Sequence, residues 1–205
     1  MGRVDSKVAL ITGAAQGLGE ASARALHKEG AVVVIADVNV ISGQALAAEL
    51  GDTALFVELD VTSETAWQQA IATTLKQLGR LDVLVNNAGI VLMGTIEDTN
   101  LEDLRKIQAV NIDGPFLGCK HAIPAMAKSG GGSIINMSSV AALSGTPAFA
   151  AYSVTKGAVR SLTQTVATHC NMRSNGIRCN SIHPGGINDV GRTIAHGGRD
   201  VNANR

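Results

Sequence analysis

Residues 7–37 read KVALITGAAQGLGEASARALHKEGAVVVIAD. An apolar run at 7–12 leads directly into a glycine-rich turn, and a segment of helical periodicity follows at 17–29. A second apolar run occupies 31–36. This order predicts a strand, a helix and a second strand parallel to the first, since a crossover through a helix returns the chain in the same direction.

The same alternation continues along the chain. Four more apolar runs predict strands, at 54–59, 81–86, 133–138 and 176–182, and helix-length segments lie at 41–50, 64–78, 101–128 and 152–173. The continuous apolar runs are typical of strands that are buried on both faces of a parallel sheet. We therefore expect an α/β fold, a doubly wound parallel sheet of the Rossmann type, in a single domain at residues 1–187.

Composition limits the classes of partner. The 205 residues contain 17 Lys plus Arg and 17 Asp plus Glu, so no net charge attracts nucleic acid or an anionic membrane surface. Aromatic residues make up only 2%, too few to build base-stacking platforms. No apolar run approaches the ~18 residues of a membrane span, and the N-terminus lacks the apolar core of a signal peptide. A cytoplasmic protein without nucleic-acid or membrane partners is expected.

The cysteines and histidines suggest no metal site. The cysteines form no C-x-x-C pair and are interpreted as reduced, buried small hydrophobes rather than nucleophiles or zinc ligands. The five histidines lack H-E-x-x-H or other metal-ligand spacing. His183 is interpreted as a packing or hydrogen-bonding residue. The cysteines are Cys119, Cys170 and Cys179.

The glycine-rich turn TGAAQGLG occupies residues 12–19. Without side chains, Gly13, Gly17 and Gly19 would let the turn form, let the backbone approach a pyrophosphate and let the helix pack against the strand. The alternative is a tight strand-to-helix connection with no ligand. The context, between a strand and a helix, favours a phosphate cradle.

Asp37 ends the second predicted strand, where a carboxylate can accept hydrogen bonds from the adenosine ribose hydroxyls of a dinucleotide. Its charge would repel a 2′-phosphate, and neither Gln16 nor Asn39 supplies a compensating cation. The sequence therefore favours NAD over NADP. A helix-capping aspartate is the alternative interpretation.

Tyr152 and Lys156 lie four residues apart, hence on one face of a predicted helix. Lowering the pKa of a phenol from about 10 to about 7 requires roughly 4 kcal/mol of differential stabilisation. A nearby cation in a partly dry site can supply that stabilisation. Taken alone, a tyrosine and a lysine at this spacing more often belong to an ordinary helix face.

Seven motifs follow one another along residues 7–187. They are TGAAQGLG at 12–19, Asp60-Val61, NNAG at 86–89, Asn111, Ser139, YSVTK at 152–156 and Pro184-Gly185. Their order and spacing resemble those of the short-chain dehydrogenase/reductase family. Within that family, the chain is similar to bacterial hydroxysteroid and cyclic-alcohol dehydrogenases.

The resemblance implies four catalytic residues. Tyr152 would be the general acid/base, and Lys156 would lower the tyrosine pKa and bind the nicotinamide ribose. Ser139 would hydrogen-bond the substrate oxygen. Asn111 would hold a water that connects Lys156 to solvent.

It also implies a cofactor site for NAD. Asp60 would contact the adenine amino group, Val61 would lie against the adenine ring, and residues 87–89 would lie beneath the adenosine ribose. The motif at 86–89 also has a structural interpretation, as a turn that stabilises the sheet. The full predicted set is Gly13, Gln16, Gly17, Leu18, Gly19, Asp37, Asp60, Val61, Asn87, Ala88, Gly89, Tyr152, Lys156, Pro184, Gly185 and Ile187.

Residues 140–149 are largely apolar and are expected to form one wall of the substrate cleft. The hypothesis is an oxidoreductase that transfers a hydride between NAD(H) and a hydrophobic secondary alcohol or ketone, with a small-molecule substrate and no metal. We expect a homo-oligomer, a dimer or tetramer formed through the long helices.

The end of the chain departs from the family pattern. Asp189 stands where the family places a threonine, and the polar, glycine-rich residues 188–205 replace its last helix and strand. The expectation is a poorly ordered tail and an exposed edge strand at 176–182. A nucleotide-binding but catalytically impaired, truncated or frame-shifted relative is the alternative to an active enzyme.

Overall fold

A computed structural model describes residues 2–187, and the tail expected at 188–205 lies outside the described residues. Six strands alternate with helices along the chain. The strands are β1 (Val8–Thr12), β2 (Val32–Asp37), β3 (Ala54–Glu58), β4 (Val83–Asn86), β5 (Gly132–Met137) and β6 (Ile177–Ile182). The helices are α1 (Gly17–Lys28), α2 (Val40–Leu50), α3 (Glu64–Leu78), α4 (Leu101–Gln108), α5 (Gly114–Lys128) and α6 (Ala150–Met172).

The strands form one parallel sheet in the order β3-β2-β1-β4-β5-β6. The order reverses at β1, which pairs with β2 on one side and β4 on the other. In doubly wound sheets, this reversal opens a crevice at the carboxyl ends of the strands, where ligands bind. The predicted Rossmann-like fold is confirmed.

Successive residues of each strand point to opposite faces of the sheet, and both faces are buried. Leu10 pairs with Val34, and both belong to the core on one face. Their neighbours Ile11 and Ile35 pair in turn and belong to the core on the other face. Two apolar faces require two helix layers, which explains the continuous apolar runs of the sequence.

The predicted single helix at 101–128 was wrong in one respect. α4 and α5 are separated by a π-helical turn, Ala109–Asp113. Pro115 has no N–H to donate to the carbonyl four residues earlier, that of Asn111, so one α-helical hydrogen bond is missing at this turn. The turn places Asn111 in the interior, where it is 1% exposed.

Within residues 2–187, β6 is an edge strand of the sheet and pairs only with β5. None of the helices in these residues is long and apolar enough to cross a bilayer.

Candidate active site

Two adjoining clefts lie at the carboxyl ends of the strands. The larger, of about 640 Å³, runs along the glycine-rich turn, and the smaller, of about 220 Å³, contains the predicted catalytic residues. They form one continuous groove, because both clefts share part of their lining. The shared residues are Leu18, Asn87, Gly89, Ile90 and Val91.

The larger cleft begins at the glycine-rich turn, which tolerates no side chains at two positions. Gly13 has φ +62°, and a Cβ there would lie 2.9 Å from the Ala88 Cα. A Cβ on Gly19 would overlap the Gly13 carbonyl oxygen. The turn therefore presents bare backbone and the amino end of α1, a surface that suits a pyrophosphate. A Cβ at either position would collide with the protein itself, and the bare backbone that results fits the pyrophosphate of a dinucleotide.

Thr12 and Asn87 connect the turn to β4. The Thr12 Oγ1 atom accepts hydrogen bonds from the Asn87 and Ala88 N–H groups, both at 3.0 Å. The Asn87 side-chain amide donates to the carbonyls of Thr12 at 2.9 Å and Gly13 at 3.1 Å. These bonds hold the two sides of the crevice together. Asn87 thus has the structural role that was the alternative interpretation, while it also lines both clefts.

Asp37 lies at the end of β2 on the wall of the larger cleft. Its Oδ2 atom accepts the Ala15 N–H at 2.9 Å, and its Oδ1 atom accepts the Asn39 N–H at 2.9 Å. The carboxylate is therefore fixed against the glycine-rich turn. Among the described residues that line this cleft there is no lysine or arginine.

Asp60 and Val61 line the far end of the larger cleft, beyond β3. The Val61 carbonyl accepts the indole N–H of the buried Trp67 at 3.0 Å. Asp60 accepts two hydrogen bonds from Thr62, which also lines the cleft. The prediction placed Asp60 and Val61 at the adenine end of a cofactor, and the structure brings both to one turn on the cleft wall.

The smaller cleft brings Ser139, Tyr152 and Lys156 together. Lys156 Nζ lies 5.4 Å from the centre of the Tyr152 ring and donates a hydrogen bond to the Met137 carbonyl at 2.8 Å. The lysine is 5% exposed, and its burial lowers its pKa to about 8. α6 carries both Tyr152 and Lys156, so the predicted shared helix face is present.

The pKa of Tyr152 differs from the expected direction. Burial raises the pKa of the phenol above its ordinary value, and the hydrogen bond with Ser139 lowers it in part. The Lys156 ammonium lies 5.4 Å from the centre of the ring and does not reverse the effect of burial. The protein by itself therefore holds Tyr152 in its protonated form.

Ser139 begins the short turn Val140–Ala142, and its Oγ atom accepts the Ala141 N–H at 3.2 Å. Its carbonyl oxygen lies 3.1 Å from Nδ1 of His183, whose Nε2 lies 2.9 Å from the Ser181 hydroxyl. His183 thus bridges two backbone segments, which agrees with the hydrogen-bonding role expected for it. The arrangement fixes Ser139 beside Tyr152.

Asn111 lines neither cleft. Its Oδ1 atom accepts the Ile90 N–H at 2.9 Å, and its Nδ2 atom donates to the Ile90 carbonyl at 2.9 Å and to Thr155 Oγ1 at 3.1 Å. A Cβ on Gly89 would meet both Asn111 Oδ1, at 3.3 Å, and Lys156 Nζ, at 3.4 Å. Asn111 therefore lies close to the lysine but supports the cleft wall through Ile90.

The remaining predicted cofactor residues also reach the groove. Gln16, Gly17 and Leu18 line it near the cradle, Ala88 and Gly89 line its middle, and Pro184, Gly185 and Ile187 line its catalytic end. The sequence did not identify the supporting groups Thr12, Ser138 and Thr155. Ser138 donates from its hydroxyl to the Lys156 carbonyl at 2.9 Å. Thr12, Ser138 and Thr155 lie inside or beside the recognised motifs, and this position is the only sequence signal that could have identified them as supporting residues.

Comparison with known proteins relates the chain to a family of dehydrogenases. A sequence model of the short chain dehydrogenase family matches residues 7–194. A 3-beta-hydroxysteroid dehydrogenase of Comamonas testosteroni is 46% identical over 185 residues, which cover 90% of this chain and 72% of that protein.

Two further relatives are similar. A 3-alpha-(or 20-beta)-hydroxysteroid dehydrogenase of Mycobacterium tuberculosis is 48% identical over 184 residues, covering 90% of this chain and 70% of the relative. A cyclopentanol dehydrogenase of a Comamonas species is 43% identical over 190 residues, covering 91% of this chain and 75% of the relative. Together with the sheet order and the groove, these matches show that the chain belongs to the short-chain dehydrogenase family, oxidoreductases that use nicotinamide cofactors.

Proposed function

We propose that this protein transfers a hydride between NAD(H) and a hydrophobic secondary alcohol or ketone, with Tyr152 as the general acid/base. The observation that carries the proposal is the convergence of Ser139, Tyr152 and Lys156 in a cleft continuous with the glycine cradle. In this proposal residues 1–187 form one domain that supplies both the cofactor site and the catalytic site.

Each catalytic side chain has a distinct part in the proposed reaction. A bound nicotinamide would supply the hydride acceptor for alcohol oxidation, and Tyr152 would remove the hydroxyl proton. Ser139 hydrogen-bonds the substrate oxygen and orients it toward the phenol. In ketone reduction Tyr152 returns the proton to the same oxygen.

Lys156 lowers the energetic cost of forming the Tyr152 phenolate. An anion on the phenol would be costly in a buried site, but it would lie near a buried ammonium whose one described acceptor is the Met137 carbonyl. Loss of the phenol proton thus converts an uncompensated cation into a compensated ion pair, and the phenolate of this pair is the base that accepts the proton of the alcohol. Asn111 positions this pair through Thr155, and a water held near it would return the proton to solvent.

NAD is the proposed cofactor because of charge. Asp37 is fixed at the cleft wall by two backbone N–H groups, and no cationic side chain among the described lining residues offsets it. A 2′-phosphate near this carboxylate would be repelled, whereas ribose hydroxyls can donate to it.

Exposed apolar side chains on the segments that follow β4 and β5 support an apolar substrate, although they lie outside the lining of the smaller cleft. Val140 and Leu143, after β5, and Met93, after β4, are 44%, 59% and 52% exposed. The two segments are joined where the Gly94 N–H donates to the Ala148 carbonyl at 2.9 Å and the Ala150 N–H to the Gly94 carbonyl at 3.0 Å. Such an apolar surface suits the ring of a hydroxysteroid or a cyclic alcohol, the substrates named for the relatives above.

Assembly and location complete the proposal. Phe116 on α5 and Val154 on α6 are 54% and 56% exposed, which supports a homo-oligomer formed through these helices. The three cysteines are free thiols, in keeping with a reducing compartment such as the cytoplasm.

The test is turnover of hydroxysteroids and cyclic alcohols with NAD, followed by absorbance of the reduced cofactor. Tyr152→Phe should lower kcat by about 100- to 10,000-fold, because it removes the proton acceptor, and should leave NADH affinity within about twofold. Ser153→Ala is the matched control, since it removes a hydroxyl from the next residue of α6 and should retain activity. A chain that binds NADH but oxidises none of these alcohols would contradict the proposal and favour the impaired relative.

A further inference from the structure

The turn at the adenosine end of the larger cleft is held rigidly from behind. The Asp60 carbonyl accepts the Ser63 N–H at 3.1 Å, and the Ser63 hydroxyl caps α3 by accepting the Ala66 N–H at 3.2 Å. Trp67, fully buried in the core, donates its indole N–H to the Val61 carbonyl. The backbone that carries Asp60 is thus anchored to α3 on both sides of Val61.

The Asp60 carboxylate itself is held asymmetrically. The Oδ1 atom accepts both the Thr62 N–H, at 2.9 Å, and the Thr62 hydroxyl, at 2.8 Å. None of the described residues donates a hydrogen bond to the Oδ2 atom. Asp60 is exposed and lines the cleft together with Thr62. One oxygen is occupied by the neighbouring residue, and the other remains a charged acceptor.

We propose that Thr62 is a positioning residue that fixes Asp60 so that its second oxygen reads the amino group of the cofactor adenine. An ionised carboxylate only accepts hydrogen bonds, so it favours a base with an exocyclic N–H donor and repels a carbonyl at the same place. The inference rests on the proposed use of NAD.

The contribution of Thr62 is preorganisation. An exposed aspartate rotates freely about its two side-chain bonds. A ligand that binds only one orientation of the carboxylate loses affinity when other orientations are also populated. Two donors on one oxygen restrict this rotation before the base arrives. The backbone donor is present in any variant, so the hydroxyl alone can be removed by Thr62→Val, which keeps the shape of the side chain.

The experiment compares two dinucleotides that differ at one group of the base. NAD carries the adenine amino group, and nicotinamide hypoxanthine dinucleotide carries a carbonyl instead. Affinities for both are measured by isothermal titration calorimetry on the full chain, for the unaltered protein, Thr62→Val, Thr62→Ser and Asp60→Asn. No turnover is required.

The unaltered protein should bind NAD at least about tenfold more tightly than the hypoxanthine analogue. Thr62→Val should reduce this ratio about three- to tenfold, and Thr62→Ser, which retains the hydroxyl donor, should keep it within about twofold. Asp60→Asn should abolish the preference, because the amide can turn its N–H₂ group to the carbonyl. A merely structural role of Thr62 would weaken both dinucleotides equally and leave the ratio unchanged.

The outcomes separate this inference from the proposed function. If the unaltered protein binds neither dinucleotide, the proposed cofactor is wrong and the inference fails with it. If it binds NAD and the ratio survives in Thr62→Val, the role assigned to Thr62 is wrong and the cofactor proposal stands. If the ratio survives in Asp60→Asn, the carboxylate does not read the base, which also overturns the inference.

Discussion

The two ends of the groove are built on different principles. At the cradle and beside Asp37, protein donors and acceptors are already paired with each other: Asn87 with Thr12 and Gly13, Asp37 with Ala15. At the catalytic end, a buried ammonium donates to one carbonyl, and a half-buried phenol hydrogen-bonds the Ser139 hydroxyl. The cradle is therefore held in shape before a ligand binds, whereas the catalytic end is electrostatically incomplete.

The two ends of the groove therefore affect binding affinity and protein stability in different ways. A preformed cradle lowers the entropy loss of binding, and its residues are expected to affect affinity through shape. A desolvated charge lowers stability and is expected to gain its compensation in the reacting complex, the usual trade between stability and function. Substitutions that alter shape at one end and charge at the other test this contrast.

The largest effect is expected at the cradle, from Gly19→Ala. The new Cβ would overlap the Gly13 carbonyl and approach Asn87 Nδ2 to 2.6 Å, so the bonds that join β1 and β4 must shift. NAD affinity should fall about a hundredfold or more, and the free energy of unfolding should fall by about 1–3 kcal/mol. Calorimetric titration and urea unfolding measure the two quantities.

Gly157→Ala is the control for this substitution. Gly157 lies in α6, where an added Cβ meets no atom within 4 Å, so alanine should keep NAD affinity and raise helix stability slightly. Equal losses in both variants would show that the cradle has no special requirement for a bare backbone.

The second prediction concerns Lys156, at the catalytic end. Burial lowers its pKa from 10.5 to about 8. Below about pH 8 the lysine is protonated in both states, and its burial disfavours the folded state by about 3 kcal/mol. Between about pH 8 and 10.5 the unfolded chain binds more protons than the folded one, so this penalty is relieved as the pH rises.

Lys156→Met removes the buried charge, so its stability relative to the unaltered protein should be pH-dependent. The difference in free energy of unfolding should move in favour of the unaltered protein by about 2 kcal/mol between about pH 7 and about pH 9.5. Urea unfolding at both pH values measures it, and Lys128→Met, at the exposed end of α5, controls for the loss of a lysine. A difference that is independent of pH would contradict the buried, uncompensated state of Lys156.

The fold was predictable from sequence where apolar periodicity determines it. The strand at 177–182 was expected at 176–182 and α3 at its observed bounds, because buried strands and a capped amphipathic helix leave strong local patterns. The π-helical turn at Ala109–Asp113 was not expected, since one extra residue in a turn barely changes the spacing of apolar residues. Its physical cause is visible afterwards in Pro115 and in the bonds of Asn111 to Ile90.

The candidate site was predictable where side chains in motifs carry the chemistry. The structure places Ser139, Tyr152 and Lys156 together, as their spacing around a strand end and a helix suggested. The Met137 carbonyl that holds Lys156 is a backbone group and leaves no mark in the sequence. The direction of the shift in the Tyr152 pKa could not be predicted from the sequence either, because it depends on burial and on where the ammonium lies relative to the ring.

The smallest expected effect, and the sharpest test of charge at the adenosine end, comes from Asp37→Ala. Removing the carboxylate relieves the repulsion of a 2′-phosphate and removes an acceptor for the ribose hydroxyls, so the affinity ratio of NADP to NAD should rise about tenfold. Asp52→Ala, an exposed carboxylate in the turn before β3, makes the same change in net charge and should leave the ratio unchanged. Because Asp37 also accepts the Ala15 N–H, some loss of NAD affinity should accompany the switch. A ratio unchanged by Asp37→Ala would mean that shape rather than charge selects the cofactor, and the contrast between the two ends of the groove would then be sharper still.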